Sequence, residues 1–566
     1  MNQISMIKNC LAILLLLMVN TAYSQISSVE KRMLHNEKPD ANSVYMPLED
    51  AKTSPGYQYK SPGIFTIQVN VNENGDNILG DAANEPSIAV DPTDADRIMI
   101  GWRQFDNVGS SFRQAGHAYS LDAGQSWTFP GSIDAGVFRS DPVLDCDSEG
   151  NFYYNSLTTS GNDFLCTVFK TSAGGLEWDD GTFAQGGDKQ WMRIDRSGGI
   201  GDGNIYSNWT RGFSYCFPYF FTRSTNGGDS YEDCIAVLGD PYWGTEAIGP
   251  DGELYIAGAG EFNDIMVVRS DNAQEAGSVI EWPVYAPVNL DGELNIQPDV
   301  NPVGLMGQVW VDCDRSDGPG RGNVYVCAAV DRYSSPDRGD VMFARSTDGG
   351  ESFEAPIRIN TDVSTSNTQW FATMSVAPNG RIDVVWLDTR FDPAGHILSA
   401  LFYSYSLDQG MTWSENEQMS VVFNPHLGWP QQNKMGDYFD MVSDEGGAHL
   451  AWANTINGEQ DVYYSYITPE MVGVEDESIH NQVDINVFPN PCSEKLNIRY
   501  SLDEAAQINL SVYDMLGNKV TVLANEVQSS GTHKITYQAQ DLPDGVYIIS
   551  LKIDGTIHRQ KVVKRN

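Results

Sequence analysis

The chain has 566 residues and a formal net charge of −41; 41% of its residues are hydrophobic and 11% aromatic. That length calls for two or more domains, and that apolar content builds a real core and excludes global disorder. The charge excludes nucleic acid and anionic membrane as partners, and reads first as solubility outside the cell, with calcium binding by loop carboxylates as the other reading.

Residues 1–24 read as a secretory signal. Lys8 precedes the apolar run Leu11–Val19, and Ala22 and Ser24 supply the small residues of a cleavage site before Gln25. The run is too short to span a bilayer, and no later segment approaches the length of a span. Residues 25–62 are polar and contain proline, as a lead-in or extended arm would. The strand Ile64–Val71 then has the composition to complete a sheet elsewhere in the chain.

From here to residue 468 a pattern recurs. Four segments share it: Ser120–Trp127, Ser224–Tyr231, Ser346–Phe353 and Ser406–Trp413, each reading Ser-x-Asp/Asn-x-Gly-x-Ser/Thr-aromatic. A fifth, Thr171–Trp178, keeps glycine and aromatic but lacks the acid. These are hairpin turns, in which the Asp or Asn caps backbone N–H groups, the glycine takes a positive φ, and the aromatic folds back between strands. Ahead of each turn runs a strand, a D/N-x-x-G turn and a second strand rich in Tyr, Val and Trp, as in Pro378–Trp386. No stretch after residue 25 shows sustained helical periodicity.

Strand starts near Glu85, Asp141, Gln190, Glu246, Gln308, Gln369 and Asp437 divide the region into about seven units, alternatively six. The expected fold is all-β: a β-propeller of four-stranded blades over 63–468, which protects its edges by closing into a ring. An acidic linker, 469–484, leads to a separate β unit at 485–566, where nine Lys/Arg meet eight Asp/Glu, so the acidity lies upstream.

Eight cysteines, less Cys10 in the signal, leave seven in an exported chain where disulfides are permitted. Six fall into local pairs: Cys146 with Cys166, Cys216 with Cys234, and Cys313 with Cys327; other connectivities stay open. None has zinc-ligand spacing.

The Ser-x-Asp-x-Gly-x-x-Trp turns resemble the Asp-box (BNR) repeats of the sialidase superfamily, a resemblance covering residues 64–468. In that family the Asp boxes are structural, so the resemblance implies a fold before it implies an activity. The C-terminal unit resembles the type A sorting domain of the Bacteroidetes type IX secretion system, on Val487–Pro491, Val512–Gly517, Leu542–Tyr547 and Lys561–Lys564. It implies passage through periplasm and outer membrane, with release or attachment at the cell surface. An ordinary immunoglobulin-like sandwich is the plainer reading of the same unit.

The sialidase resemblance implies three arginines on a substrate carboxylate, a Tyr–Glu nucleophile pair and an Asp acid/base. The family's F/Y-R-I-P element is absent; Trp102-Arg103 is its loose substitute, and Trp191-Met-Arg-Ile194 falls in the wrong unit. In a propeller the starts of the first strands lie near one mouth of the central channel. On that geometry the catalytic candidates are Glu246, Tyr438, Asp141 and Arg103. The binding candidates are Glu85, Asp188, Trp191, Arg193, Trp243, Gln369, Trp370 and Asp437, because carboxylates beside aromatics suit a sugar site. The same carboxylates could hold calcium or ordered waters in a solvated tunnel. Arg139 and Arg390 could join that face, although Asp388-Thr-Arg390 reads better as a loop held by its own Asp–Arg pair. His117 and His426 are the histidines placed to act as a base, and no zinc-protease pairing or serine-nucleophile elbow occurs. The expected function is a monomeric secreted propeller acting on or binding extracellular glycans or glycoproteins, by glycoside hydrolysis or as a non-catalytic binding or scaffold module. No cofactor is required, with calcium as the one candidate.

Overall fold

The computed structural model describes residues 43–48, 51–172, 176–260, 264–294, 296, 299–336, 339–392, 396–469 and most of 486–565. The signal segment, the lead-in up to residue 42 and linker residues 470–484 lie outside the described residues. The chain divides into two compact units, residues 1–470 and 471–566. Among the described residues the regular structure is β-strand throughout, and no helix is long and apolar enough to cross a membrane.

In the first unit seven antiparallel sheets of three to five strands follow one another along the chain, beside a two-stranded sheet of Lys52–Pro55 and Asp76–Leu79. Their first strands are Ala82–Val90, Ser140–Cys146, Asp188–Ile194, Glu246–Ile248, Trp310–Cys313, Gln369–Val376 and Asp440–Ser443; the sheets are numbered 1 to 7 in that order. Each first strand packs on the first strand of the next sheet, and that of sheet 7 packs on that of sheet 1. The early strand Ile64–Gln68 pairs antiparallel with Asp461–Ile467 of sheet 7. The lead-in is therefore not wholly irregular: Gln58–Ser61 adds a fifth strand to the same sheet. Second strands such as Ile205–Thr210 and Ile382–Asp388 are buried along their whole length. Both strands mix apolar residues with buried polar ones that find partners inside: Ser207 Oγ donates to the Trp191 carbonyl at 2.7 Å, and Asp383 accepts from Tyr403 OH at 2.6 Å.

At six of the seven junctions a polar side chain ties one sheet to the next. Ser87 Oγ accepts from Leu144 N, Asp145 from Ile194 N, Thr245 Oγ1 from Val311 N, and Asp312 from Val376 N. Ser375 Oγ accepts from Ser443 N, and Asp440 from Ile88 N and Ser87 Oγ.

The four Ser-x-Asp/Asn-x-Gly segments join the third and fourth strand positions of their sheets, in one repeated geometry. In Ser346–Phe353, Ser346 Oγ donates to Asp348 at 2.6 Å and accepts from Gly350 N at 2.8 Å, while Asp348 accepts from Ser352 N at 3.0 Å. Ser270–Ala273 repeats part of it without glycine or aromatic, so the pattern search passes over it. Asp348→Ala is expected to destabilise the unit by about 1–2 kcal/mol, since it removes several net-favourable hydrogen bonds at once. A fall in the urea midpoint checks this; no change would mean that backbone conformation alone holds the turn.

The second unit consists of a three-stranded and a four-stranded antiparallel sheet around one core that includes Leu496, Ile498, Leu510, Ile549 and Leu551.

Of the three expected disulfides only Cys216–Cys234 forms, with a Cα–Cα distance of 6.4 Å. Cys146, Cys166, Cys313 and Cys327 are free and buried. Cys146 and Cys166 lie on the first and third strands of sheet 2, with Phe152–Ser160 between them. Cys313 and Cys327 are on paired strands, but Cys313 faces Val324 and Cys327 faces Trp310. That three-residue offset puts the two thiols about 10 Å apart along the ladder and on opposite faces, beyond the reach of a bridge.

Candidate functional site

The heads of the seven first strands share a backbone feature that the sequence does not announce. A residue with φ between 48° and 116° lies within four residues of the start of each one: Glu85, Asp141, Lys189, Trp243, Gly307, Phe371 and Gly436. In sheets 1, 2, 3 and 6 it begins a β-bulge against the second strand. Five of the seven are not glycine, at about 1 kcal/mol or more of strain each. At Gly436 glycine is also needed for space, because a Cβ would meet Glu85 Cγ at 2.7 Å.

The bulges aim charged side chains at one another. Arg103 Nε lies 3.0 Å from Glu85 Oε2 and donates to Asn84 Oδ1 at 2.8 Å. Lys434 Nζ reaches Asp437 Oδ2 at 2.7 Å and Glu85 Oε1 at 3.4 Å. Lys189 Nζ lies 3.1 Å from the same Asp437 oxygen and 3.6 Å from Asp188 Oδ1. Asp141 accepts from Lys189 N at 3.2 Å and from Ser140 Oγ, and its backbone carbonyl from Gln190 Nε2. Tyr438 OH donates to the carbonyl of Pro142 at 2.7 Å.

All of these side chains are buried; Glu85 is 1% exposed and Asp437 2%. Burial pushes Glu85 up to about 8, helped by Asp437 and Asp141, and Arg103 and Lys434 offset this only in part. Burial acts the same way on Asp437, but Lys189 and Lys434 outweigh it and hold that carboxyl well below its usual range. Burial also drives the Tyr438 phenol well above its ordinary value, with Glu85 and Asp141 adding to the effect. With Glu85 protonated, three cations face three remaining carboxyl groups.

Two segments cover this cluster. From 299–307, Leu305 N donates to Asp437 at 2.8 Å, Asn301 Nδ2 to Gly436 O at 2.9 Å, and the Met306 carbonyl accepts from Phe371 N at 2.6 Å. From 424–435, Met435 N donates to Asn301 at 2.9 Å, and His426 Nε2 lies 3.2 Å from Val300 O.

The candidates divide accordingly. Glu85, Arg103, Asp141, Asp188, Asp437 and Tyr438 come together. Trp191 lies edge-on to Tyr438 at 5.4 Å and to Trp310 at 5.2 Å, while Arg193 sits over the Trp191 ring and 3.8 Å from Asp440. Glu246 stands apart. It follows the left-handed Trp243 by three residues, and its carboxyl faces the amides of Arg193 and Asn208. Burial pushes it well up, against the pull of Arg193. Gln369 precedes its left-handed residue by two and accepts from Asn360 at 3.0 Å. Trp370 donates to Ser399 at 3.1 Å, and Trp243 stacks edge-on to Tyr242 at 4.7 Å. Trp191, Trp243 and Trp370 are at most 3% exposed, so none offers a ring to a sugar. Arg139 is taken by Asp134 at 2.9 Å and Arg390 by Asp388 at 2.7 Å. His117 is buried, which lowers it to about 4. The residues missed from sequence are Lys189 and Lys434. Among the described residues no group of three His, Cys, Asp or Glu side chains is arranged to hold a metal ion.

Residues 486–565 match the family model of the secretion system C-terminal sorting domain. The protein is thus exported through the type IX secretion system, to the cell surface or beyond it, and its tail addresses that machinery. No curated protein matches the chain. Solved structures similar to it include a Dyadobacter fermentans protein of unknown function (15% identity, TM-score 0.39, 72% of this chain and 100% of that one). Others are the endosialidase of phage phi92 (9%, 0.40, 82% and 75%) and the Trypanosoma rangeli sialidase (8%, 0.37, 93% and 89%). These scores stop short of a fold assignment.

Proposed function

We propose that residues 58–469 form a seven-bladed β-propeller that binds extracellular glycan without cleaving it. Seven blades rather than six are supported by the cyclic packing of seven first strands and by the closure of Ile64–Gln68 on Asp461–Ile467. Glycan is supported by export and by the resemblance of the turns to the sialidase repeats.

One observation carries binding over hydrolysis: the acids and guanidinium that gather at the heads are already buried and engaged with one another under two covering segments. A sialidase needs guanidinium groups held open for a carboxylate. Here Arg103, Arg139, Arg193 and Arg390 each lie within ion-pair distance of an acid. The hydrolase reading keeps one support, in that Glu85 is protonated at neutral pH as a general acid must be. It requires the cover to move.

The test is turnover of a panel of fluorogenic sialosides and other glycosides, with and without calcium, beside a glycan array. The expected result is background turnover with retained binding. Turnover that Tyr438→Phe or Glu246→Gln abolishes would establish a glycosidase; silence in both assays would remove glycan from the reading.

A further inference from the structure

The loop joining the second and third strands of sheet 3 does something the buried cluster does not: it presents aromatic rings to water. Its residues Tyr215, Phe217 and Tyr219 are 48%, 69% and 47% exposed, and Phe183 of sheet 2, against Tyr215, adds 44%. The Phe183 and Tyr215 rings touch edge-on at 5.1 Å. Asp188 pairs with Thr210 across sheet 3, so this loop leaves its sheet at the head end.

The backbone under these rings is fixed. Ser214 Oγ accepts from Trp209 Nε1 at 2.8 Å and donates to Tyr219 O at 2.9 Å, which closes the loop on a buried hydroxyl. Tyr215 N donates to the carbonyls of Phe164 and Gly186, and Phe164 N donates to Phe213 O, which anchors the loop to sheet 2. The Cys216–Cys234 disulfide ties it to the outer edge of its own sheet. Such a loop has little ordering entropy left to lose on binding. Exposed aromatics on a rigid support mark an interaction site more strongly than single apolar residues do.

The size and charge of the patch say what covers it. Four aromatic side chains, each about half exposed, offer roughly 400 Å² when a full aromatic side chain covers about 200 Å². That is about half of the ~800 Å² per partner that a stable protein interface needs. It suits a ligand a few rings long. A net charge of −41 disfavours acidic polymers. The flat apolar faces of neutral pyranose rings stack on aromatic side chains, and the tyrosine hydroxyls meet the sugar's equatorial hydroxyl groups.

We infer that Tyr215, Phe217 and Tyr219, with Phe183, form a platform that binds a neutral polysaccharide. This rests on the glycan-binding reading and names its ligand class and place. The test is native-gel retardation of the full chain by xylan, laminarin, galactomannan and, as acidic controls, polygalacturonate and colominic acid. At least one neutral polymer is expected to retard the wild type. The combined variant Tyr215→Ala, Phe217→Ala, Tyr219→Ala is expected to need at least tenfold more of that polymer for equal retardation, with its thermal midpoint kept within a few degrees. Should the variant lose folding, Phe217→Ala alone is read, with a several-fold loss expected. Undiminished retardation of a folded variant overturns the platform and leaves the glycan-binding reading standing. Retardation by acidic polymers alone overturns the neutral ligand. No retardation by any polymer, together with a silent glycan array, overturns both; capture of a protein partner that the triple variant loses, with polymer retardation unchanged, overturns the platform alone.

Discussion

Asp437→Ala is expected to lower the stability of the first unit by about 3–5 kcal/mol, the usual cost of removing one partner from a buried ion-pair cluster. The wild-type carboxylate serves Lys434, Lys189 and the Leu305 amide. Without it two buried ammonium groups lose their shared counter-ion, and the covering segment 299–307 loses a tie to sheet 7. Two measurements report the two effects: the urea midpoint should fall, and proteolysis within 299–307 should begin well before the unit unfolds. Asp437→Asn keeps an acceptor for the amide and should spare the cover better than it spares stability. A change in midpoint worth less than about 1 kcal/mol for the alanine variant would mean that water, not the ion pairs, carries the cluster.

Stability is expected to fall as pH rises from about 5 to 9. Burial, the first cause in each case, pushes Asp440 up to about 6, Asp461 to about 7 and Glu85 to about 8. Burial likewise drives Glu246 and Asp81 well upward. An acid whose folded value is raised holds its proton in the native state after the unfolded chain has released it. Its contribution is therefore complete below about pH 4 and is lost as pH climbs through the folded value. Each such group takes away up to about 1.4 kcal/mol per pH unit within its window. His117 works in the opposite direction, but only between its ordinary value and about 4. Thermal midpoints measured across this range should decline, and Glu85→Gln should flatten the decline between pH 5 and 8. A flat or rising profile would contradict the assignment of protons to these carboxyls.

Much of the architecture was legible because a repeated sheet repeats its punctuation. The strand starts read near Glu85, Asp141, Gln190, Glu246, Gln308, Gln369 and Asp437 fall at or within a few residues of the observed first strands. The Ser-x-Asp turns and the return of the early strand to the last sheet follow from the same logic. The site was legible only in part, because a bulge moves the register without marking the sequence. Glu85 and Asp141 sit on the left-handed residue and Asp437 one beyond it, so they converge; Glu246 and Gln369 do not. Lys189 and Lys434 stand in polar surroundings that resemble surface loops, and only the folded chain shows that they are 4% and 2% exposed. Local cysteine spacing misled because proximity along a hairpin says nothing of register. Cys313 and Cys327 miss each other by three rungs.

The seven strand heads also bear on how such a chain can change over generations. Glu, Asp, Lys, Trp and Phe share a φ of 48–55° there, and the two glycines also take a positive φ. The packing of the first strands on one another, rather than the side chain, therefore dictates the conformation. A sheet copied by tandem duplication would arrive with its head already shaped to pack on its neighbours, and its head residue could then be exchanged without altering that packing. The chemistry at the heads is in this sense modular: the packing around each head bears that head's own strain, and selection is left to vary what each of the seven displays.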